Sequence, residues 1–448
     1  MFSPDKLPWT GDWVGSAGSD AMVKGYYGAL GASKPSATHQ AYGAGGVTML
    51  SWDQTPSLAP SLEPMRCCRA WVEINLAALR HNVRQFRGIL PTATQLMAVV
   101  KADAYGHGAV TVAQTALQAG AAWLGVATVP EGIELRAAGI QAPVLVMGAV
   151  NSPEEMQAIA HWRLQPTLVN PKQALVFSDT LGGLAAARPV GVHLKIDTGM
   201  TRLGFPWAEA VDFARFVRQL PHLNIDSLYS HLATADDPNP AIMERQRQRF
   251  RAALCQLRQQ HLLPPRLHLA NTAATLANPA LHYDLVRVGL GLYGLYPAPH
   301  LQALVDLQPV MQVKARITHL KDVPAGTGIS YGHQYVCDRP MRLAVVGIGY
   351  ADGVPRILSN QLQVMVRGQL VQQVGAITMD QLMLDVSQVP NLQEGDVVTL
   401  LGHDGSHAIG PDDWAALANT ISWEILCGFK HRLPRIAVEQ PLPAAVQS

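Results

Sequence analysis

From residue 95 to residue 288, short apolar runs alternate with stretches of helical periodicity, and this alternation limits the possible folds more than any other feature of the chain. The apolar runs are Gln95–Val100, Trp123–Val126, Val144–Val146, Gln165–Leu168, Val192–Ile196, Ile225–Tyr229, Leu267–Leu269 and Leu285–Val288. Each is too short for a helix and is bounded by turn residues, so each reads as a buried strand. Between them lie amphipathic stretches, at Val110–Ala119, Pro130–Ala138, Pro153–Ala160, Ala208–Arg218 and Ala241–His261. Strands that alternate with helices pair in parallel. Eight such units over about 230 residues match an α/β fold of the (β/α)8 TIM-barrel type. A doubly wound open sheet is the alternative. No Gly-x-Gly-x-x-Gly follows the first strand, which disfavours a dinucleotide fold.

The rest of the chain has a different texture. Residues 1–66 are rich in Gly, Ser, Ala and Pro and follow no apolar period. They read as a disordered leader or as a mis-assigned start, with Met65 as the alternative first residue. Order begins at the alternating strand Ala70–Ile74. Asn75 then caps a helix with apolar positions Leu76, Leu79, Val83 and Phe86. The barrel is expected over residues 70–300, and the early strand could join the second domain instead. From 301 to 440 alternating runs replace the helices: Val310–Ile317, Leu343–Ile348, Gln363–Val366, Leu370–Val374, Met383–Val386 and Val397–Leu401. They predict a mostly-β C-terminal domain. One helix starts at Pro411, a residue suited to a first helical position, and Ile436–Val438 reads as a closing strand.

Composition removes several function classes. The net charge is +1 and no basic run occurs, so neither nucleic acid nor an anionic membrane is expected as a partner. Only 15% of residues are charged, against ~25% in ordinary globular proteins, which points to surface buried in an oligomer. The five cysteines are odd in number and lack metal-type spacing; they fit a reducing, cytoplasmic compartment. No apolar stretch approaches the ~20 residues of a spanning helix. The first residues, with Asp5, Lys6 and Asp12, contain no secretory h-region.

In a barrel, the carboxyl ends of the strands build the active site. Here those ends carry Lys101, Lys195 with Asp197, His231, Asn271 with Thr272, and Arg287. Lys101 stands out, because an apolar run ends on it and a glycine-rich turn follows. A lysine held on a rigid strand and partly desolvated has a lowered pKa and can form a Schiff base with an aldehyde. A surface lysine closing a strand is the other reading, and the local pattern does not separate the two. Gly289 and Gly291 follow the last strand, where barrels often place a phosphate on backbone N–H groups, although tight-turn glycines look the same. His107, His231, His268 and His282 lack paired metal spacing, so no metal site is expected.

Longer blocks carry a resemblance. Ala98-Val99-Val100-Lys101-Ala102-Asp103-Ala104-Tyr105-Gly106-His107-Gly108 resembles the cofactor-lysine signature of the alanine racemases, which are barrel-type enzymes that use pyridoxal 5′-phosphate. His193 to Gly204, Tyr229 to Asp236, and Val286-Arg287-Val288-Gly289 with Tyr293-Gly294 resemble further blocks of that family. So do Ile329-Ser330-Tyr331-Gly332 and Ala376-Ile377-Thr378-Met379-Asp380-Gln381 in the second domain. The similarity runs from about Trp71 to Ile436.

The resemblance implies roles for particular residues. Lys101 would carry the cofactor and act as one catalytic base. Tyr331 would be the other base, reaching in from the partner of a homodimer. Tyr105, Thr272, the backbone at Gly289 and Leu290, and His431 would hold the phosphate; many relatives have tyrosine where His431 stands. His231 would pack on the ring, and Arg287 would face the pyridine nitrogen. Arg202, with Met379 and Asp380 from across the interface, would hold the substrate carboxylate. Lys195 matches a lysine often carbamylated in relatives. The implied activity is two-base interconversion of L- and D-alanine, which supplies D-alanine for peptidoglycan. Because arginine stays protonated, Arg287 would keep the pyridine nitrogen an acceptor and weaken the ring as an electron sink. A tyrosine serves as a base only beside positive charge, for which Arg202 and Arg287 are the candidates. Two alternatives remain open on the sequence: a broad-specificity racemase or decarboxylase, and a cofactor-binding protein without turnover.

Overall fold

The computed structural model describes residues 68–184 and 189–440. The leader, with its alternative start at Met65, lies outside the described residues. The first strand, β1 (Ala70–Asn75), leads directly into helix α1 (Leu76–Ile89). Asn75 makes this switch possible, since its side chain accepts hydrogen bonds from the backbone N–H groups of Ala77 and Ala78. That satisfies donors which have no partner inside the helix. The buried face of α1 carries Leu79, Val83 and Phe86, at helical spacing.

Eight parallel strands then form a barrel: β2 (Gln95–Val99), β3 (Trp123–Val126), β4 (Val144–Ala149), β5 (Gln165–Leu168), β6 (Val190–Asp197), β7 (Leu223–Tyr229), β8 (Arg266–His268) and β9 (Leu285–Val288). Neighbours pair in sequence order from β2 to β8, and β9 pairs back onto β2 with Val286 opposite Leu96. Two backbone bonds span the remaining gap, from Asp284 N–H to the Leu267 carbonyl and from Arg287 N–H to the Ala270 carbonyl. The sheet therefore returns on itself, and the open-sheet alternative falls. All eight predicted strands form, with ends shifted by no more than about three residues, as expected of boundaries read from pattern alone. The helix at Pro171–Gly182, capped by Asn170, was missing from the sequence reading. Its three polar residues in the last turns blur the apolar period.

The barrel interior is divided. On one side Met97, Trp123, Leu145 and Leu285 make a small apolar cluster of their own. On the other, Gln165, Thr167, His193, Ser227, Tyr229 and His268 fill the space with hydrogen-bonded polar groups. Alternate residues such as Leu96, Ala98, Leu124 and Val144 face the outer helices and belong to the main core.

The second sheet is organised on the long strand β10 (Met311–Val323). It pairs with β1 and with β15 (Val397–Asp404) along its first half and with β11 (Met341–Val346) along its second. A register shift between Ile317 and His319 marks the change of partner. The sheet also holds β12 (Gln363–Val366), β13 (Gln369–Gln372) and β14 (Leu382–Asp385). After β16 (His407–Ile409), one helix runs over Pro411–Ala418 and a second, not foreseen, over Ser422–Gly428. The closing strand β17 (Arg435–Val438) lies parallel to β1. Thus β1 precedes the barrel in sequence yet belongs to the second sheet. Among the described residues no helix is long and apolar enough to cross a membrane.

Candidate active site

The turn after β2 has an uncommon shape. Ala102, Asp103, Ala104 and Tyr105 all have φ between 52° and 54° and ψ between 40° and 51°, one turn of left-handed helix. None is glycine. Each such residue costs roughly 1–2 kcal/mol relative to the right-handed form, so the surroundings must impose the turn. Several contacts do so. The Ala102 N–H donates to Glu131 Oε1 at 2.8 Å, and Asp103 Oδ1 accepts from the Ala109 N–H at 2.8 Å. Arg435 donates to the carbonyls of Gly106 and Phe429. At Gly106, where φ is +80°, a Cβ would stand 2.5 Å from the Leu426 carbonyl oxygen. Gly106→Ala is therefore expected to destabilise the fold by roughly 1–3 kcal/mol, read as a lower urea midpoint with an unchanged m-value.

Lys101, at the head of this turn, projects into a cavity of about 570 Å³ at the carboxyl ends of the strands. Burial, reinforced by the charge of Arg202, lowers its pKa. Among the described residues nothing hydrogen-bonds its amine. The same cavity is lined by Lys195, Arg202 and Arg287, with Asp236 as a carboxylate at its wall. Burial and the charges of Arg287 and Arg202 bring Lys195 down to about 7. Its Nζ lies 4.8 Å from the centre of the Tyr229 ring. So strong a positive field suits an anionic ligand.

One end of the cavity is a cradle of hydroxyls and backbone: Tyr105, Thr272, Gly289 and Leu290. The Gly289 N–H donates to Thr272 Oγ1 at 3.1 Å, which leaves the hydroxyl proton of Thr272 free to donate. Tyr105 is largely buried, and its hydroxyl takes no hydrogen bond among the described residues. A Cβ at Gly289 would stand 2.6 Å from it, so a side chain there would fill the cradle. Tyr105 is itself braced by Tyr293, whose ring centre is 4.8 Å away and whose hydroxyl donates to the Val99 carbonyl.

Arg287 is buried without a carboxylate. Its guanidinium donates to the carbonyls of Ser230 and Leu269 at 2.9 Å, to His268 Nδ1 at 3.1 Å and to His231 Nδ1 at 3.2 Å. A guanidinium only donates, so both imidazoles must present a lone pair at Nδ1 and carry their proton on Nε2. From His268 the direction propagates through the barrel. His268 Nε2–H donates to Ser227 Oγ at 2.9 Å, Ser227 donates to His193 Nδ1 at 2.5 Å, and His193 Nε2–H donates to Gln165 Oε1 at 2.6 Å. Burial holds His193 neutral, at about 3, and burial with the Arg287 charge keeps His268 well below the usual histidine range. The same two causes depress His231. Burial lowers Arg287 to about 10, so it stays a cation at neutral pH.

Of the thirteen residues to which the resemblance gives roles, nine meet at this cavity: Lys101, Tyr105, Lys195, Arg202, His231, Thr272, Arg287, Gly289 and Leu290. Four do not line it. Tyr331 is 71% exposed and Met379 53% exposed. Asp380 is on the surface, paired with Arg432 at 2.5 Å, and His431 is exposed. Tyr331 and Met379 nevertheless lie on adjoining loops of the second domain. Ser330 Oγ donates to the Ala376 carbonyl at 2.7 Å, and the left-handed Gly375 packs on Ile329. Sequence reasoning missed Trp423 and Cys427, which reach the cavity from the short helix near the C-terminus. It also missed Glu131. An acidic residue three positions after Thr128 is a helix-start signal, but nothing local links it to Lys101.

The family model described as "Alanine racemase, N-terminal domain" matches residues 74–297, and "Alanine racemase, C-terminal domain" matches residues 310–437. The chain belongs to the alanine racemase family. A curated alanine racemase of a Nostoc species is 65% identical over 370 residues, which cover 83% of this chain and 96% of the relative. Among solved structures, the alanine racemase of Bacillus anthracis with bound L-Ala-P superposes with a TM-score of 0.78 at 34% identity, covering 83% of this chain and 95% of that one. The alanine racemase of Bartonella henselae, described with covalently bound pyridoxal phosphate, gives a TM-score of 0.73 at 28% identity and covers 83% and 100%. Family membership thus agrees with the barrel and the mostly-β second domain on which the cavity residues stand.

Proposed function

We propose that the chain interconverts L- and D-alanine as a homodimer that carries pyridoxal 5′-phosphate on Lys101. One observation carries this reading: a partly desolvated, unpartnered lysine faces a cationic cavity whose far end is a cradle of hydroxyls and backbone. The donor set fits the cofactor. Tyr105, Thr272 and the backbone at Gly289 and Leu290 would take the phosphate, His231 the ring, and Arg287 the pyridine nitrogen. His431 is exposed, and its contact with the phosphate is left out of this proposal.

When bound, the cofactor supplies an electron sink that acidifies the α-hydrogen of an attached amino acid. The protein supplies the rest. Lys101 Nζ removes or returns the α-proton on one face. Tyr331 Oη of the partner subunit does so on the other, which is how inversion is achieved with two fixed bases. The exposure of Tyr331 and Met379 on adjoining loops supports their delivery across an interface. Arg202, with Met379 and Asp380 of the partner, would hold the carboxylate. Arg287, protonated and fixed by four neutral acceptors, would donate to the ring nitrogen and keep it unprotonated, which would restrain the sink and limit side reactions such as transamination.

Chiral product analysis with L-alanine, D-alanine and L-serine, with and without added cofactor, tests the proposal. Equilibration of both alanine enantiomers, dependent on cofactor and faster than turnover of serine, is expected. Serine turned over as fast as alanine would replace the reading by a broad-specificity racemase. No turnover of either by the cofactor-loaded protein would overturn it.

A further inference from the structure

Glu131 does not line the cavity, yet its two carboxylate oxygens serve two different elements. Oε2 accepts from the N–H groups of Ala127 and Thr128, at 2.7 and 3.2 Å, and so caps its own helix, Val129–Ala137. Such a cap needs only one oxygen. The other, Oε1, leaves the helix and accepts from the Ala102 N–H at 2.8 Å, immediately after Lys101. Ala102 is the first residue of the left-handed turn. Asp103 and Arg435 hold the far end of that turn, while Glu131 holds the end that bears the lysine.

We propose that Glu131 is a positioning residue for Lys101, its Oε1 fixing the left-handed turn that aims the lysine into the cavity. This rests on the reading of Lys101 as the cofactor lysine. A side chain of this kind acts by orientation: when a reacting group is misplaced by about 1 Å, activity can fall ~100-fold although folding survives.

Three variants separate this role from a merely structural one. Glu131→Asp keeps the charge and suits the first turn of its helix, but is too short to serve both elements. Glu131→Gln keeps one acceptor oxygen and loses the charge. Glu131→Ala loses both. In the cofactor-free protein, Glu131→Asp and Glu131→Ala should speed amide exchange at Ala102–Gly106 by about tenfold or more while the barrel strands keep their protection. Recombination with pyridoxal phosphate should weaken at least about tenfold, and kcat should fall more than KM rises. The groups that face Lys101 are Arg202, Lys195, His231, Cys427 and Glu131 itself. Losing the one carboxylate among them should move the lysine limb of the pH profile to lower pH in Glu131→Gln and Glu131→Ala, and leave it in place in Glu131→Asp. If Glu131→Asp matches the unmutated protein in turn exchange, cofactor recombination and kcat, the proposal is overturned. Should Glu131→Ala fail to fold, Glu131→Asp decides alone. If instead Lys101→Ala retains turnover, the assignment of Lys101 falls, whatever the Glu131 variants do.

Discussion

Lys101→Ala is expected to abolish racemisation, with a loss of at least ~10³-fold in kcat/KM, and to remove the visible absorbance of a lysine-bound pyridoxal. The size of the effect follows from losing at once the two roles proposed for Lys101, covalent attachment and one proton transfer. Stability should not suffer. The amine has no hydrogen-bond partner among the described residues, and burial already disfavours its charge. Removing a desolvated charge costs little. The unfolding midpoint of the cofactor-free variant should therefore match or exceed that of the unmutated protein. Chiral chromatography and a visible spectrum on one sample give the answer. A variant that keeps both racemisation and the absorbance would remove Lys101 from the mechanism.

Tyr331→Phe should lose racemisation by roughly 10²–10⁴-fold, the range for a missing general acid–base, while retaining bound cofactor. The hydroxyl lies on a residue 71% exposed, so folding gives no other reason for a loss. The surviving base should still exchange the α-hydrogen of one enantiomer with solvent, whereas the other becomes inert. The location of Tyr331 makes a second measurement decisive. It stands outside the cavity that holds Lys101. If it acts in trans, a dimer of one Lys101→Ala and one Tyr331→Phe subunit contains one complete site and one empty of both bases. Random exchange of equal amounts then restores about a quarter of full activity, because half the dimers are mixed and each has one working site of two. Absence of any recovery after verified exchange would place both bases in one subunit.

Much of the architecture was legible in the sequence because its signals are local. A strand end, the Asn75 cap and the change from helical to alternating periodicity each need only a few neighbouring residues. The signature around Lys101 and the strand-end groups Lys195, His231, Thr272 and Arg287 were legible for a related reason. A barrel brings the carboxyl end of every parallel strand to one rim, so order along the chain becomes proximity in space. The helix at Ser422–Gly428 was not legible, being short and without a side-chain cap. The two cavity residues it carries, Trp423 and Cys427, were missed with it.

What the sequence alone determined is the set of elements and the chemistry available at their ends: an amine, two further cations and a hydroxyl cradle on one barrel rim. Only the tertiary structure decided how those groups are held. The left-handed form of Ala102–Tyr105 runs against the general preference of L-residues, so it exists because Glu131 and Arg435 impose it from separate segments, while Asp103 ties the turn to the helix that follows. The tautomers of His268 and His193 likewise follow from a donor-only guanidinium that meets them through the barrel core. Local periodicity encodes neither, because in both cases the deciding contact joins residues tens to hundreds of positions apart.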